Sequence, residues 1–369
     1  MINRVFAISL TFALCLSGGL TIACGQGRSK ERPATTATAP VQKEITALLP
    51  ASDAIVLVDV QKAVKELLPQ LMANRKTKLD EVNANLDRLK EKTGIDARMF
   101  KQVAVGILYV PDAAKKTAVK TVAIARGDFN AGAMLADARL AGAGKTREVK
   151  AGNKTITVVS IAEIKDKVAA AAGTATAGEG DKNKDIVSKV LQQIIDGQSG
   201  ELALYAVDQN TLALGDLARV TEVANGKIAA DGNGPAVALA RKVPNSVIGF
   251  GGKVPPDLAS QLDFDNEQID QALNSIRQIF GGVSFTADSY NLLVGVRTDK
   301  AEAASDLKAT IELLQGLGGM VTGRIKSEPL RQAAERGIDN LKVTQTGTEL
   351  QAQLPISQVD AGALLDLWK

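Results

Sequence analysis

The chain has 369 residues and a formal net charge of +3, and only 3% of its residues are aromatic. The excess of positive charge lies within residues 1–44, which hold Arg4, Arg28, Lys30, Arg32 and Lys43 against Glu31 and Glu44, so the rest of the chain is neutral. A nucleic-acid-binding protein would combine a basic stripe with stacking aromatic side chains, and we exclude that class. The absence of histidine removes the commonest base of a catalytic triad and the usual zinc ligand.

The first element is an export signal. The signal begins with the positive charge of Arg4, and an almost wholly apolar run, Val5–Leu16, follows it. The small, flexible residues Ser17-Gly18-Gly19 come next, before Cys24. This layout is typical of a secretory signal, and the apolar run is too short for a spanning helix.

The end of this signal resembles that of bacterial lipoprotein precursors. In that family a cysteine that follows a small residue is lipidated and becomes the new N-terminus, and here Cys24 follows Ala23. Such precursors prefer Leu where this chain has Thr21, and Leu20 stands one step further out. The resemblance implies that Cys24 carries a lipid anchor. The alternative is ordinary cleavage after Ala23, which would release a soluble exported protein.

Cysteine usage sets a second limit. Cys15 lies inside the signal, so the mature chain keeps Cys24 alone and has no intramolecular disulfide. Residues 25–44 are rich in Gly, Pro, Ala and Thr and have no periodic apolar face. That composition predicts a flexible tether, with an end-to-end distance of roughly 25 Å.

The first half of the body, residues 45–231, alternates strands and helices. Ala54–Val60 predicts a buried strand, and the helix after it is expected to break or kink near Pro69. The further elements expected are a helix over Lys78–Lys92, strands over Val103–Tyr109 and Val119–Arg126, a helix over Asn130–Leu140, a hairpin over Val149–Ser160, a helix over Asp185–Asp196, strands over Leu202–Val207 and Thr211–Leu214, and a helix over Ala218–Asn225.

Two segments interrupt this pattern. Ala169–Lys184 has low complexity and no apolar group that could dock on a core, so we expect a loop that a short Gly-Ser connector replaces at a cost below about 1 kcal/mol. Gly232-Asn233-Gly234-Pro235 is the best sequence candidate for a domain boundary.

The second half, residues 235–369, repeats the order of the first. Pro244–Phe250 matches Pro50–Val56, in that a proline and small polar residues lead into a strand. The elements expected after it are a helix with Ile269, Leu273, Ile276 and Phe280 on one face, strands over Val283–Ala287 and Tyr290–Arg297, a helix with Leu307, Ile311 and Leu314 facing inward, a helix over Ser327–Arg336, and strands over Leu341–Gln345 and Thr348–Leu354. The predicted fold is therefore α+β, with two tandem related units, each an antiparallel or mixed sheet with helices packed on one face.

Four motif-like stretches favour structural interpretations. Gly142–Thr146 resembles the end of a phosphate-binding loop, but its first glycine is missing and a helix precedes it instead of a strand. Ser305–Lys308 and Lys92–Gly94 match elements of penicillin-recognising enzymes in the reverse order. Asp263–Glu267 is dense in oxygen ligands, yet it lacks the glycine of a calcium loop and suits the start of a helix. No catalytic, cofactor-binding or metal site is predicted.

In its general organisation, the whole chain resembles secreted bacterial lipoproteins with a duplicated α+β body. The function predicted is that of a membrane-anchored envelope lipoprotein, at the outer membrane or periplasmic face, acting as a non-catalytic interaction or scaffolding module. The first alternative is a periplasmic carrier that encloses an apolar ligand such as a lipid, and the second is an enzyme that uses lysine and carboxylates. An enclosed apolar cavity would favour the carrier, and a buried lysine beside a carboxylate in a cleft would favour the enzyme.

Overall fold

The computed structural model describes residues 43–93, 96–111, 117–141, 146–160, 200–255, 267–323 and 325–365. The signal, Cys24, most of the tether, the loop over Ala169–Lys184 and the helix expected over Asp185–Asp196 lie outside these residues. Within them the strands are β1 Ala54–Asp59, β2 Phe100–Pro111, β3 Thr117–Gly127, β4 Arg147–Ala151, β5 Lys154–Ser160, β6 Glu201–Asp208, β7 Thr211–Gly215, β8 Ile248–Lys253, β9 Ile276–Phe285, β10 Ser289–Thr298, β11 Lys342–Thr346 and β12 Glu349–Ser357.

Helices connect and cover these strands. They are α1 Val60–Lys62, a π-helical turn Ala63–Leu67, α2 Leu68–Leu71, α3 Lys76–Thr93, α4 Ala131–Ala141, α5 Leu217–Ala224, α6 Gly234–Ala240, α7 Glu267–Asn274, α8 Ala301–Thr322, α9 Glu328–Asn340 and α10 Gln358–Leu365, with short 3-10 turns at Ile45–Leu48 and Ala97–Met99. The irregular turn lies directly before Pro69, which has no backbone N–H to donate to the preceding turn.

The described strands form one antiparallel sheet in the order β11-β12-β10-β9-β8-β1-β2-β3-β7-β6-β5-β4. The α+β class is thereby confirmed. The expectation of a separate sheet in each half is wrong, because β1 of the first half pairs with β8 of the second. The boundaries at residues 231 and 235 stay a prediction, but the sheet does not divide there.

The two halves repeat the same strand order outward from the central pair, as β1-β2-β3-β7-β6 and as β8-β9-β10-β12-β11. In both halves the second and third strands meet at a register shift. The extra residue there pairs with an aspartate after the third strand, Lys101 with Asp128 at 2.6 Å and Arg277 with Asp299 at 2.9 Å. This correspondence supports the predicted duplication, which remains a prediction about the origin of the chain.

Apolar side chains fill both faces of the sheet in the first half. On the first face, Val56 and Val105 pack with Leu135 of α4. On the second face, Ile55 and Ile124 pack with helices α5 and α6. Helices therefore cover both faces here, and not one face as expected from the sequence.

In the second half, α8, α9 and α10 pack on the first face, and α6 packs against β8 and β9 on the second face. The strand register places four residues on the first face, one from each successive strand: Ile248 of β8, Val283 of β9, Leu292 of β10 and Leu354 of β12. Leu354 lies beside α9 and α10. Helix α8 packs alongside α9 and contacts β10, β11 and β12. Helices α8, α9 and α10 thus pack on the outer strands of the second half.

The long helix expected to include Ile276 and Phe280 is wrong. Helix α7 ends at Asn274, and both residues belong to strand β9. Gly281 and Gly282 do not stop a helix but allow close strand packing, because a Cβ on Gly281 would lie 2.2 Å from the carbonyl oxygen of Leu293.

The segment at Gly232–Pro235 is not a loose linker. Asn233 is 4% exposed and has a left-handed backbone conformation, with φ of 59°. Its side-chain oxygen accepts a hydrogen bond from the Ser52 backbone N–H at 2.9 Å, and its amide donates to the carbonyl oxygen of Pro50 at 3.2 Å. Asn233 therefore fixes the turn that leads into β1.

Arg219 of α5 holds the same turn from a buried position. Its guanidinium donates to the carbonyl oxygen of Ala51 at 2.7 Å and to the Ser52 hydroxyl at 3.1 Å, and it pairs with Glu222. Burial lowers the pKa of Arg219 against the opposing effect of Glu222. We interpret this arginine as a structural clamp on the turn.

We expect Asn233→Ala to lower the free energy of unfolding by about 1–3 kcal/mol more than Asn245→Ala does, because it leaves buried backbone groups without partners. Asn245 is the matched control, since it also has a positive φ, of 55°, but an exposed side chain. Denaturant unfolding of both variants measures the difference. Equal losses would show that only the left-handed backbone matters and not the side-chain hydrogen bonds.

Candidate functional site: an exposed leucine face on α8

The inward side of helix α8 combines small and polar residues. Ala304 and Thr322 are almost completely buried there. Between them, the Gln315 side-chain amide donates to the carbonyl oxygens of Ile338, at 2.7 Å, and Leu341, at 3.0 Å, at the C-terminal end of α9. These bonds tie α8 to carbonyl groups at the C-terminal end of α9, where the regular hydrogen bonds of the helix end.

Gly318 allows α8 and α9 to approach closely. A Cβ at this position would lie 2.6 Å from Cδ1 of Ile338. Gln315 and Gly318 thus set the rotation of α8 about its axis, with their side of the helix turned toward α9.

This rotation directs three leucines to solvent. Leu313 is 65% exposed, Leu314 is 57% exposed and Leu317 is 41% exposed. The expectation that Leu314 faces inward is therefore wrong, and Gly318 takes the inward place one turn later. We call Leu313, Leu314 and Leu317 the leucine face. Each full leucine burial is worth about 1.5–3 kcal/mol, so this arrangement forgoes stabilisation that a partner surface can recover.

The same side of α8 is acidic toward its N-terminus. Glu302 and Asp306 are exposed and precede Leu313 and Leu317 along one stripe at helical spacing. Neither carboxylate makes an ion pair within the part of the chain that the structure describes, whereas Glu312 pairs with Lys308 at 3.5 Å. The stripe therefore changes along the helix from acidic to apolar.

A second apolar feature is a groove between α9, β12 and α10. Its volume is about 270 Å³, and its lining consists of Ala333, Ala334, Gly337, Ile338, Leu341, Leu354, Pro355, Ile356, Asp360 and Leu364. The groove is open to solvent on one side and is slightly smaller than most sites for drug-sized ligands.

The one charged residue in the lining is Asp360, and its carboxylate is already bound. It accepts hydrogen bonds from Arg336 Nε at 3.0 Å and from the Ser357 hydroxyl at 2.7 Å. Burial acts to raise the pKa of Asp360, but the bonds from Arg336 and Ser357 outweigh it and lower the pKa. The carboxylate is therefore ionised at neutral pH, and the remaining lining is apolar.

A partly buried ion-pair cluster lies on the opposite face of the sheet, away from both features. Glu349 pairs with Lys242 and accepts a bond from Arg297 Nε at 2.9 Å, and the Lys242 ammonium lies 4.1 Å from the centre of the Phe280 ring. Burial opposes the ionisation of Glu349, yet bonds from Lys242, Gln351 and Arg297 lower its pKa to about 2. Glu349 is thus held as an ion and is not a proton carrier near neutral pH.

Those residues singled out in the sequence that the structure describes do not form a site. Cys24 lies outside the described residues, as do residues 142–145 and 263–266. Ser305 is exposed on α8, and Lys308 is engaged by Glu312. Within the described ranges, no group of three or more Asp, Glu or Cys residues could hold a metal ion, and none of the helices is long and apolar enough to cross a membrane.

Sequence analysis missed the leucine face. A helical stripe through Leu307, Ile311 and Leu314 is a regular apolar pattern, and it competes with the stripe through Ile311, Gln315 and Gly318 that the protein uses. The available signal in the sequence was a group of three glycines close to Leu317, at positions 316, 318 and 319. Glycines let a neighbouring helix approach closely, and that contact sets the rotation of α8 about its axis.

No protein-family model and no curated protein matches this chain. Among solved structures, crystal forms III, I and IV of TP0453 are similar. Form III is 8% identical over 88% of this chain and 98% of that chain, with a TM-score of 0.38. Form I is 8% identical over 89% and 98%, with a TM-score of 0.35. Form IV is 7% identical over 88% and 96%, with a TM-score of 0.37. Because all three TM-scores lie below 0.5, we base no conclusion about this chain on the similarity.

The double variant Leu313→Ser, Leu317→Ser should change the free energy of unfolding by no more than about 1 kcal/mol, because both side chains are exposed. Leu350→Ser is the control, since Leu350 of β12 is 3% exposed. That control should lose about 2–5 kcal/mol through its cavity and buried hydroxyl. Denaturant unfolding compares them, and a loss in the double variant as large as the control's would show that the leucine face belongs to the core.

Stability should depend on the Glu349 charge between pH 4.5 and pH 2, because its pKa falls from the ordinary value of 4.5 to about 2 on folding. A lowered pKa contributes stability that is present above pH 4.5 and is lost as the pH falls toward 2. Glu349→Gln should therefore be less stable than the wild type at pH 7 and approach it at pH 2.

The control for Glu349 is Glu328→Gln, which removes a more exposed carboxylate that pairs with Arg331 on α9. Thermal unfolding from pH 2 to pH 7 measures both variants. If the deficit of Glu349→Gln is constant with pH, the ion-pair cluster does not lower the pKa of Glu349.

Proposed function

We propose that the chain is an envelope lipoprotein anchored through Cys24, and that its folded body is a non-catalytic interaction module. The apolar signal and the small residue before Cys24 support the anchor. The tether over residues 25–44 would hold the body clear of the membrane surface. The body begins where the Lys43 carbonyl oxygen accepts a hydrogen bond from Arg126 at 2.8 Å.

The leucine face is the observation that carries the interaction role. Helix α8 turns Gln315 and Gly318 toward α9 and leaves Leu313, Leu314 and Leu317 in water. Monomeric soluble proteins seldom expose clustered large apolar side chains without a binding role. The three side chains contribute little to the core of the protein, because each is largely exposed. We therefore assign the leucine face to a partner.

The chemistry of the described residues supports a non-catalytic role. The sequence has no histidine. Lys242 and Glu349 are a lysine and a carboxylate in contact, but they lie outside the groove, and the low pKa of Glu349 keeps it ionised. Proton transfer near neutral pH needs a group whose pKa lies near the working pH.

A carrier for an apolar ligand is the second candidate, and the groove favours it. Its volume of about 270 Å³ suits an alkyl segment better than a whole lipid. A Cβ on Gly337 would meet only Cδ1 of Leu354, at 3.9 Å, so a larger side chain at this position enters the groove.

The carrier is tested with a fluorescent acyl-chain probe. If the groove binds it, Gly337→Leu should weaken binding about tenfold or more, because the new side chain occupies the same space. Gly319→Leu on α8 is the control, since a Cβ there meets nothing within 4 Å and the position lies outside the groove. Failure of the wild type to bind the probe, or equal binding by all three proteins, would exclude the carrier.

The anchor is tested by Cys24→Ser. We expect the variant to move from the membrane to the soluble envelope fraction, because it cannot carry the lipid that we propose as the anchor. Fractionation after high-salt and carbonate washing measures the distribution. A variant that stays with the membrane after both washes would contradict the anchor.

The interaction role is tested by a photo-cross-linking amino acid placed at Leu313 in cells. The control places it at Val359, which is 72% exposed on a different helix, α10. We expect one discrete cross-linked product from position 313 that position 359 does not give, because bound partners exclude water from apolar anchors. Identical patterns from the two positions would contradict the interaction role.

A further inference from the structure

We propose that the partner of α8 is an amphipathic helix with apolar residues at one end of its contact face and lysine or arginine at the other. This inference rests on the proposed interaction function and names the class of partner. It combines the leucine face with two carboxylates on the same stripe, Glu302 and Asp306, for which no other described residue supplies an ion pair.

The stripe has the spacing of a helix-docking seam. Glu302, Asp306, Leu313 and Leu317 are separated by four, seven and four residues, which places them on one side of α8. At 1.5 Å per residue the stripe is about 22 Å long, with about 10 Å between Asp306 and Leu313. A helix of about four turns matches this length.

The shape of the leucine face suits a helix. Leu313 and Leu317 lie one turn apart and form a ridge, with Leu314 beside it. Gly316 lies next to this ridge, and a Cβ there would meet nothing within 4 Å, so a side chain of a partner helix can enter the space. Ridges of side chains that fit between those of a second helix are the usual basis of helix packing.

Charge specifies the other end of the partner. Glu302 and Asp306 make no ion pair within the described part of the chain, and both are exposed. A basic residue about two turns from the apolar anchors would meet them, and complementary charges fix register and orientation. The acidic stripe disfavours an anionic lipid surface, which selects helices with Lys and Arg around the apolar face.

The test uses the full mature chain with Cys24→Ser and a synthetic helical peptide of about three heptads, with leucines along one half of its contact face and lysines along the other. A control peptide replaces each lysine with glutamate. Fluorescence anisotropy should show that the lysine peptide binds about tenfold more tightly than the glutamate peptide.

Two sets of substitutions assign the binding to the stripe. The double variant Leu313→Ser, Leu317→Ser should weaken binding of the lysine peptide about tenfold or more, because it removes both apolar anchors without adding charge. The double variant Glu302→Lys, Asp306→Lys should reverse the preference and favour the glutamate peptide. Circular dichroism and unfolding of each variant confirm that its fold is retained.

Several results would overturn the proposal. These are equal binding of both peptides, binding that the leucine substitutions leave unchanged, and charge substitutions without effect on preference. Leucine-dependent binding to phosphatidylcholine–phosphatidylglycerol vesicles would assign the leucine face to a membrane instead. A dimer in sedimentation equilibrium that the leucine substitutions dissociate would assign it to a second copy of the chain.

The peptide test and the cross-linking test distinguish failure of the proposed partner class from failure of the proposed interaction function. If position 313 gives a specific cross-linked partner in cells but the peptides do not discriminate, the class of partner is wrong and the interaction function stands. If position 313 gives no specific product, the interaction function itself is wrong.

Discussion

The pairing of β1 with β8 is the contact on which the rest of the structure depends. The Asp59 N–H donates to the carbonyl oxygen of Val247, and the Lys253 N–H donates to that of Asp53, each at 2.8 Å. These two bonds close the opposite ends of the same antiparallel pair. All other described strands extend outward from it, so the two halves form one sheet and share its central strands.

Close backbone contact makes this centre possible. A Cβ on Gly252 would lie 2.2 Å from Cα of Ala54, and one on Gly251 would lie 2.3 Å from Cβ of Leu239. The glycines of β8 therefore allow β1 on one side and α6 above to approach the strand. Because two elements meet at these positions, a larger side chain there would displace the sheet or the helix.

Local patterns predicted much of the fold. Alternating and continuous apolar runs predicted β1, β2, β3 and most of the hairpins, since these depend on neighbours in the chain. The single sheet was not predictable in this way, because β1 and β8 lie far apart in the chain and either could have formed an edge. The first part of strand β9 was missed because Ile276 and Phe280 are also spaced as on a helix, and this part of the strand is fixed only by pairing on both of its sides.

The candidate site shows a similar limit. Leu314 and Gly318 compete for the inward side of α8, and the contacts of Gln315 and Gly318 with the end of α9 decide between them. A periodic pattern contains no information on which helix a given side approaches. The leucine face follows from tertiary packing, so it becomes visible only once α9 is placed beside α8.

Hydroxyl-radical footprinting of the leucine face tests the central claim most directly. Labelling of Leu313, Leu314 and Leu317 is compared between the purified protein and native envelopes, with Val359, which is 72% exposed on α10, as an internal reference. The proposed interaction predicts that the three leucines are labelled in the purified protein and protected in envelopes, while Val359 is labelled in both. Equal labelling of the leucines in the two samples would contradict the claim that this face binds a partner.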